Sequence, residues 1–197
     1  MPKMSRNLQI LISALALAIA LLSGPLPGFL TPARAEVAVA PEKNPPGDIP
    51  DSQVFVDYVS AGQFALKVPE GWARSDAPGK VSFVDKLDGV SVALVAAAQA
   101  PMQDQVTATY VPAMKSAGRA IEITEIKAVT LPAGPAVLIA YTENSEPNPV
   151  TSKQVRLEAN RYLLFRNGTL AALDLYAPLG ADNVDQWQLM SKSFQWQ

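Results

Sequence analysis

The sequence contains no histidine and no cysteine among its 197 residues. Without imidazole or thiol groups, the chain cannot build a Ser–His or Cys–His nucleophile pair. Disulfides, ordinary zinc and copper sites and a cysteine-borne lipid anchor are excluded as well. Ser–Lys and paired-carboxylate chemistry are the enzymatic routes that remain. The absences therefore predict a protein that is not an enzyme, with no catalytic residue, no metal site and no cofactor.

Acidic residues are missing from the first 35 positions, which have the three parts of a secretory signal. Lys3 and Arg6 precede an apolar run over residues 8–22, and a proline-rich stretch then leads to the small-x-small sequence of residues 33–35. A positive start, a short apolar core and an A-x-A site are typical of a cleaved signal peptide. We expect residues 1–35 to be removed and the mature chain to begin at Glu36. Retention of the segment as a membrane anchor is the alternative.

Apolar bulk is scarce in residues 36–52, which contain four prolines. Such a segment is predicted to be a Pro-rich tether, because it cannot bury enough surface to offset its ordering entropy. The folded domain then covers residues 53–197. Removal of Lys3, Arg6 and Arg34 leaves 13 of the 16 basic residues against 18 acidic ones, so the mature chain carries a net charge of −5. An acidic protein is a poor binder of nucleic acid.

Eight runs in the domain have the β-branched composition or the alternation of strands. They cover residues 54–59, 64–68, 80–85, 89–97, 121–129, 136–143, 155–165 and 170–176. Asp88-Gly89 and Asn167-Gly168 each separate two runs and are predicted to form hairpin turns.

Two helices are predicted among these strands. Pro101 and Gly118 bracket the first helix, which Pro112 should kink or split. The second helix follows Asp182 as a cap, and Phe194 and Trp196 after it should dock on the sheet. Strands with a few helices predict the α+β class, with an antiparallel β-sheet flanked by helices in an α/β/α sandwich.

Three segments of the domain resemble the PsbP-like family. They are FALKVPEGW from Phe64, KVSFVDKLDGVSVALV from Lys80, and RYLLFRNGTLAALDLYAPLGADNVDQWQLMSKSFQW from Arg161. The resemblance spans residues 54–196 and implies an antiparallel sheet sandwiched by helices. The best-known members of that family are exported, non-enzymatic subunits of photosystem II that assist calcium and chloride retention. Because this chain has no histidine, no metal-binding role is carried over to it.

Several residue clusters have both a chemical and a structural interpretation. Ser191-Lys192-Ser193 is interpreted as solvated helix surface, since adjacent helical residues point to different faces. Asp85 with Asp88 and Asp182 with Asp185 are candidates for binding a hard cation, but turn chemistry and helix capping explain them as well. The three tryptophans are interpreted as core residues: Trp72, Trp187 and Trp196. Four cations are interpreted as a solvated edge or a partner contact: Lys153, Arg156, Arg161 and Arg166. Asn167-Gly168-Thr169 is interpreted as a turn rather than a glycosylation site.

These observations lead to one main hypothesis and one alternative. The main hypothesis is an exported, non-catalytic accessory protein that docks on a protein partner at a membrane, with a photosystem II-like complex as one such partner. The expected location is extracytoplasmic: periplasm, cell surface or thylakoid lumen. The alternative is an extracytoplasmic binding protein for a small molecule or calcium, with a pocket between the sheet and a helix. The sequence assigns no cofactor-binding residue, and it leaves the oligomeric state open.

Overall fold

The computed structural model describes residues 36–43 and 46–197, so the predicted signal peptide over 1–35 lies outside the described residues. Ten strands are present in the described part: β1 (Phe55–Ser60), β2 (Phe64–Pro69), β3 (Ala73–Ala77), β4 (Lys80–Asp85), β5 (Asp88–Ala96), β6 (Glu122–Leu131), β7 (Gly134–Asn144), β8 (Arg156–Arg166), β9 (Thr169–Pro178) and β10 (Gln195–Trp196). Two helical segments accompany them: α1, composed of Gln103–Gln105, Val106–Tyr110 and Val111–Ala117, and α2 (Val184–Ser193).

Seven strands form one antiparallel sheet in the order β3-β4-β5-β9-β8-β7-β6, and β1-β2-β10 form a smaller antiparallel sheet. The predicted α+β class with antiparallel strands is confirmed. Successive side chains of a strand point to opposite faces, so the large sheet buries two separate apolar clusters. One cluster joins α1 to the large sheet. The other joins the small sheet and α2 to the opposite face. The small sheet and the strand β3 were not anticipated from the sequence.

Pro112 divides α1 as predicted. The stretch Val106–Tyr110 is π-helical, and the α-helix Val111–Ala117 begins with Pro112 in its first turn. Proline has no N–H to donate and its ring crowds the preceding turn. The wider turn before Pro112 relieves the crowding, and in the first turn of the next helix its missing N–H is not needed, which explains why the helix is not regular.

Of the two predicted hairpin turns, one is confirmed and one is wrong. Asn167 and Gly168 have φ values of 48° and 81° between the paired residues Arg166 and Thr169, as a type I′ turn requires. The β4–β5 turn is instead made by Lys86-Leu87, and Asp88 already pairs with Asp85. Gly89 lies outside the turn and allows the Tyr176 ring to pack closely, because a Cβ there would lie 2.1 Å from that ring.

The described residues of the segment 36–52 lie along the domain, which corrects the prediction of a free tether. Asn144, only 2% exposed, accepts a hydrogen bond from Val39 N at 3.0 Å and donates one to Val37 O at 2.8 Å. Further along, Ile49 is buried, and its N–H donates to Asn183 Oδ1 at 2.6 Å. The segment lacks apolar bulk, but buried amide side chains satisfy its backbone groups instead. The domain boundary at residue 53 stays a prediction.

Candidate functional site

The four carboxylates considered for cation binding do not converge on one point. Asp85 and Asp185 are exposed, whereas Asp88 is 6% exposed and lies against the segment after Gly47. Burial, followed by the nearby charge of Asp85, raises the pKa of Asp88 to about 7. Within residues 36–43 and 46–197, no group of three or more acidic side chains has the geometry of a metal site.

Asp182 does not cap α2 as expected. The helix begins at Val184, and the residue before it, Asn183, makes no side-chain capping bond. Asn183 instead donates to Gly47 O at 2.8 Å, while Asp182 N donates to Asp48 Oδ1 at 2.9 Å. The start of α2 therefore holds the segment around residues 47–49, and this role explains its polar side chains.

The cluster Ser191-Lys192-Ser193 lies at the end of α2, where Lys192 is exposed, Ser193 is half-buried and Ser191 is buried. Ser191 is buried, and its hydroxyl donates to Gln188 O at 3.3 Å. Ser193 Oγ accepts a hydrogen bond from Lys67 N at 2.9 Å, which ties α2 to β2. Lys192 Nζ contacts Gln188 Oε1 at 2.9 Å and is exposed. No contact between Lys192 and either serine hydroxyl is present among the described contacts, and both hydroxyls take part in structural hydrogen bonds.

The four cations expected at a solvated edge separate into two groups. Lys153 and Arg166 are exposed as expected, but Arg156 and Arg161 are not. Arg156 is buried and donates to Ala120 O at 2.8 Å, and also to the side chains of Asn144 and Thr142. It lies on the opposite face of β8 from Arg161, so no single basic face forms, as the alternation predicted.

Arg161 belongs to a polar cluster beneath α1. Its guanidinium donates to both carboxylate oxygens of Asp174, at 2.5 and 2.9 Å, and to Tyr110 Oη at 3.3 Å. Burial is the largest single effect on the pKa of Arg161 and lowers it, but the charge and hydrogen bonds of Asp174, together with Tyr141 and Tyr110, outweigh burial and raise the net pKa. Burial also raises the pKa of Tyr110 and Tyr141 and keeps both neutral. A bidentate pair with neutral tyrosines around it anchors the π-helical stretch of α1 to the sheet.

The tryptophans contact the core, as expected. Trp187 is buried in the cluster between α2 and the sheet, and Trp72 and Trp196 pack against that cluster. The ring of Trp196 stands edge-on to Phe194 at 5.2 Å, and Phe194 stacks on Phe64 at 5.5 Å. The aromatic residues at the end of the chain therefore fasten β10 to the small sheet.

A groove of about 360 Å³ lies between α2 and strands β6, β7 and β8 of the large sheet. Its lining combines two aromatic rings with polar side chains: Trp187, Tyr162, Thr124, Thr142, Glu158, Asn160 and Gln188. The position is where the alternative hypothesis placed a pocket. The groove is open to solvent, and its volume is near the lower end of ordinary ligand sites.

Three exposed valines lie in and beside β1, at the free edge of the small sheet. Val54, Val56 and Val59 are 56%, 40% and 57% exposed. Val54 and Val56 lie on one face of the strand and Val59 on the other, so the three valines flank the free edge from both sides. We call this edge with its three valines the valine surface. The nearest charged side chain in the strand is Asp57, which pairs with Lys67 at 3.0 Å. Sequence reasoning missed this surface, although VFVDYV carries apolar residues on both faces of one strand. Such a pattern indicates a strand that is covered on both sides.

Comparison with solved structures identifies the fold. The cyanobacterial PsbP protein (CyanoP) of Synechocystis matches with a TM-score of 0.52 at 16% identity, over 77% of this chain and 99% of that protein. The chain therefore has a PsbP-like fold, as the sequence resemblance predicted. No family model matches the sequence, and no curated protein matches it.

Two further structures are similar at lower TM-scores. The Ran-binding protein Mog1p of Saccharomyces cerevisiae has a TM-score of 0.47 at 13% identity, over 73% of this chain and 96% of its own. LpqN of Mycobacterium tuberculosis, involved in cell envelope biogenesis, has a TM-score of 0.43 at 12% identity, over 73% of this chain and 90% of its own.

Proposed function

We propose that this chain is an exported, non-catalytic accessory protein that docks on a protein partner at a membrane. The observation that carries the proposal is the valine surface on β1. Burying three half-exposed valines contributes roughly 3 kcal/mol to a complex before the costs of association. That amount is too small for a complete interface, so the surface would form its apolar centre, with polar residues around it.

Export and membrane proximity rest on the sequence rather than on the fold. The charged start, apolar run and small-x-small site over residues 1–35 support export. Among the described residues, no helix combines the length and the hydropathy that a membrane crossing requires. A photosystem-like complex in a photosynthetic host is the partner class that the PsbP resemblance implies.

Site-specific photocrosslinking in the native host tests this function. A photoreactive amino acid at Val59 of the full chain should give one dominant adduct with a membrane-associated protein. The matched control carries the same probe at Val150, which is 89% exposed in a loop. Equal adduct patterns at the two positions, or turnover of a substrate by the purified protein without a partner, would contradict the proposal.

A second candidate function is small-molecule binding in the groove beside α2. The aromatic rings of Trp187 and Tyr162 and the carboxylate of Glu158 line that groove. Native mass spectrometry of protein purified from its host should then show a bound compound, which Trp187→Ala would remove. A ligand-free protein whose partner crosslinks at Val59 would rule against this function and favour the first.

A further inference from the structure

Exposed sheet edges invite pairing with other chains, and proteins protect them with charges, prolines, bulges or covering side chains. The β6 edge of the large sheet is protected by Gln103 of α1. Its side-chain Nε2 donates to Ile126 O at 3.1 Å, and its Oε1 accepts a hydrogen bond from Ala128 N at 3.3 Å. A bulge follows Ile123, and the strand carries three charged side chains. This edge is closed to a further strand.

The β3 edge and the β10 edge are protected in other ways. β3 is only five residues long, and Arg74 and Asp76 form a 2.8 Å ion pair on it. The Arg74 guanidinium also lies 4.8 Å from the centre of the Tyr58 ring. β10 consists of Gln195–Trp196 alone, too short to offer a ladder. Short, charged edges of this kind pair poorly with other strands.

β1 has fewer of these protections, since Asp57 is its one charged residue. It contains no lysine, no proline and no bulge, and its pairing with β2 is regular from Phe55 to Ser60. The carbonyl oxygens of Val54 and Ser60 accept hydrogen bonds from Glu70 N and Gln63 N on the β2 side. In an antiparallel strand, successive residues direct their backbone N–H and C=O groups to alternate sides of the strand.

That alternation decides which backbone groups of β1 face outward. Val56 and Tyr58 have the same parity as Val54 and Ser60 and bond to β2. Phe55, Asp57 and Val59 therefore direct both their N–H and their C=O groups away from β2. Within the described part of the chain, no strand pairs with this side of β1.

We propose that β1 accepts an extended strand of the protein partner along this edge. This inference rests on the proposed function and specifies how the partner binds. The added strand would bond to the backbone of Phe55, Asp57 and Val59, and its apolar side chains would cover the valine surface. A suitable segment is extended, carries apolar residues at alternate positions and has no proline where it bonds to β1.

A second copy of this chain fits the same edge poorly. An antiparallel pair of β1 strands that uses all three outward-facing residues centres on Asp57. Each Asp57 then lies directly opposite its copy, and like charges in that position destabilise a sheet. Registers shifted by two residues avoid this repulsion, but they give up part of the ladder. The edge therefore favours a different protein over self-association.

Two substitutions at Val59 separate strand addition from a simple apolar contact. Val59→Pro removes the outward-facing N–H without removing a bond to β2, since proline is tolerated at such edge positions. Val59→Thr keeps the N–H and reduces the apolar surface. With the full-length protein and the partner captured at Val59, Val59→Pro should weaken binding at least tenfold, and Val59→Thr less than threefold. Equal affinities for the wild type and Val59→Pro would overturn strand addition.

Hydrogen exchange gives an independent readout of the same complex. The amides of Phe55, Asp57 and Val59 should exchange rapidly in the free protein and become protected when the partner binds. The amides of Val56 and Tyr58 should be protected in the free and the bound protein. The same protection in Val59→Pro would show that this variant is folded. Binding without new protection at the first three amides would overturn strand addition while leaving the proposed function intact. Capture of no partner, or of a second copy alone, would overturn both.

Discussion

At the scale of single residues, Asp88 is the least expected feature of the molecule. The sequence places it beside a glycine, as in a turn, but the structure buries it beside Gly47. Its Oδ1 atom has no hydrogen-bond partner among the described residues. A carboxyl group in this position is favoured in its neutral form, because burial penalises the charge.

Asp88 should make the stability of the fold depend on pH. Its pKa is about 7 in the folded chain against 3.8 as the ordinary value, so between these values the folded state holds a proton that the unfolded state has lost. The free energy of unfolding should therefore fall as pH rises from about 4 to 7, and then level off.

Asp88→Asn should remove this pH dependence. At pH 8 the variant should be more stable than the wild type by roughly 2 kcal/mol, because no buried carboxyl has to ionise. Urea unfolding between pH 4 and 8 measures the effect, with exposed Asp185→Asn as the control. A variant that is equally stable or less stable at pH 8 would contradict the burial of Asp88.

In contrast to Asp88, buried Asn144 has hydrogen-bond partners for both its side-chain oxygen and its side-chain nitrogen. It accepts from Val39 N and Arg156, and it donates to Val37 O and Glu36. Asn144→Ala should lower the free energy of unfolding by about 2 kcal/mol, since it leaves buried groups unpaired. Limited proteolysis should then cut near Val39 much faster than in the control Lys153→Ala, which changes an exposed side chain. Equal cutting rates would show that Asn144 does not hold the segment.

At the scale of secondary structure, local chemistry predicted most elements, and tertiary contacts decided the rest. Asn167-Gly168 forms its turn because both residues tolerate positive φ. Lys86 also takes a positive φ of 53°, which nothing in a lysine predicts, so the turn before Asp88 was misplaced. β3 was missed because Ala73–Ala77 is polar and exposed throughout, and only its pairing with β4 makes it a strand.

The protection of the β6 edge provides a prediction at this scale. Gln103→Ala should expose the backbone of Ile126 and Ala128, and the protein should self-associate at concentrations where the wild type does not. The loss of two side-chain hydrogen bonds should also cost about 1 kcal/mol of stability. Sedimentation velocity measures the association, with Gln105→Ala on the same helix as the control. A Gln103→Ala protein that sediments as the wild type does would show that the edge needs no cover.

The candidate site was harder to predict than the elements. That β1 would lie at an edge depends on which strands pair, and that information is not local in the sequence. Arg156 and Arg161 were expected at the surface because charged residues usually lie there. Their burial depends on partners far along the chain, such as Ala120 and Tyr110.

At the scale of the whole molecule, the proposed export and the fold have separate support. The resemblance of three segments predicted the PsbP-like fold, and the cyanobacterial PsbP structure confirms it. Export depends on residues 1–35 alone. Protein isolated from the extracytoplasmic fraction of the host should begin at Glu36, as N-terminal sequencing would show. A start at Met1 would identify the segment as a retained anchor.

The binding of a protein partner through the valine surface is most directly tested by one affinity comparison. The partner crosslinked at Val59 is titrated with the wild-type protein, with Val56→Lys/Val59→Lys and with the matched surface variant Val150→Lys. We expect the double variant to bind at least tenfold more weakly and Val150→Lys to bind as the wild type does, because only the former places charge in the apolar centre of the interface. Unchanged affinity of a folded double variant would contradict docking through β1.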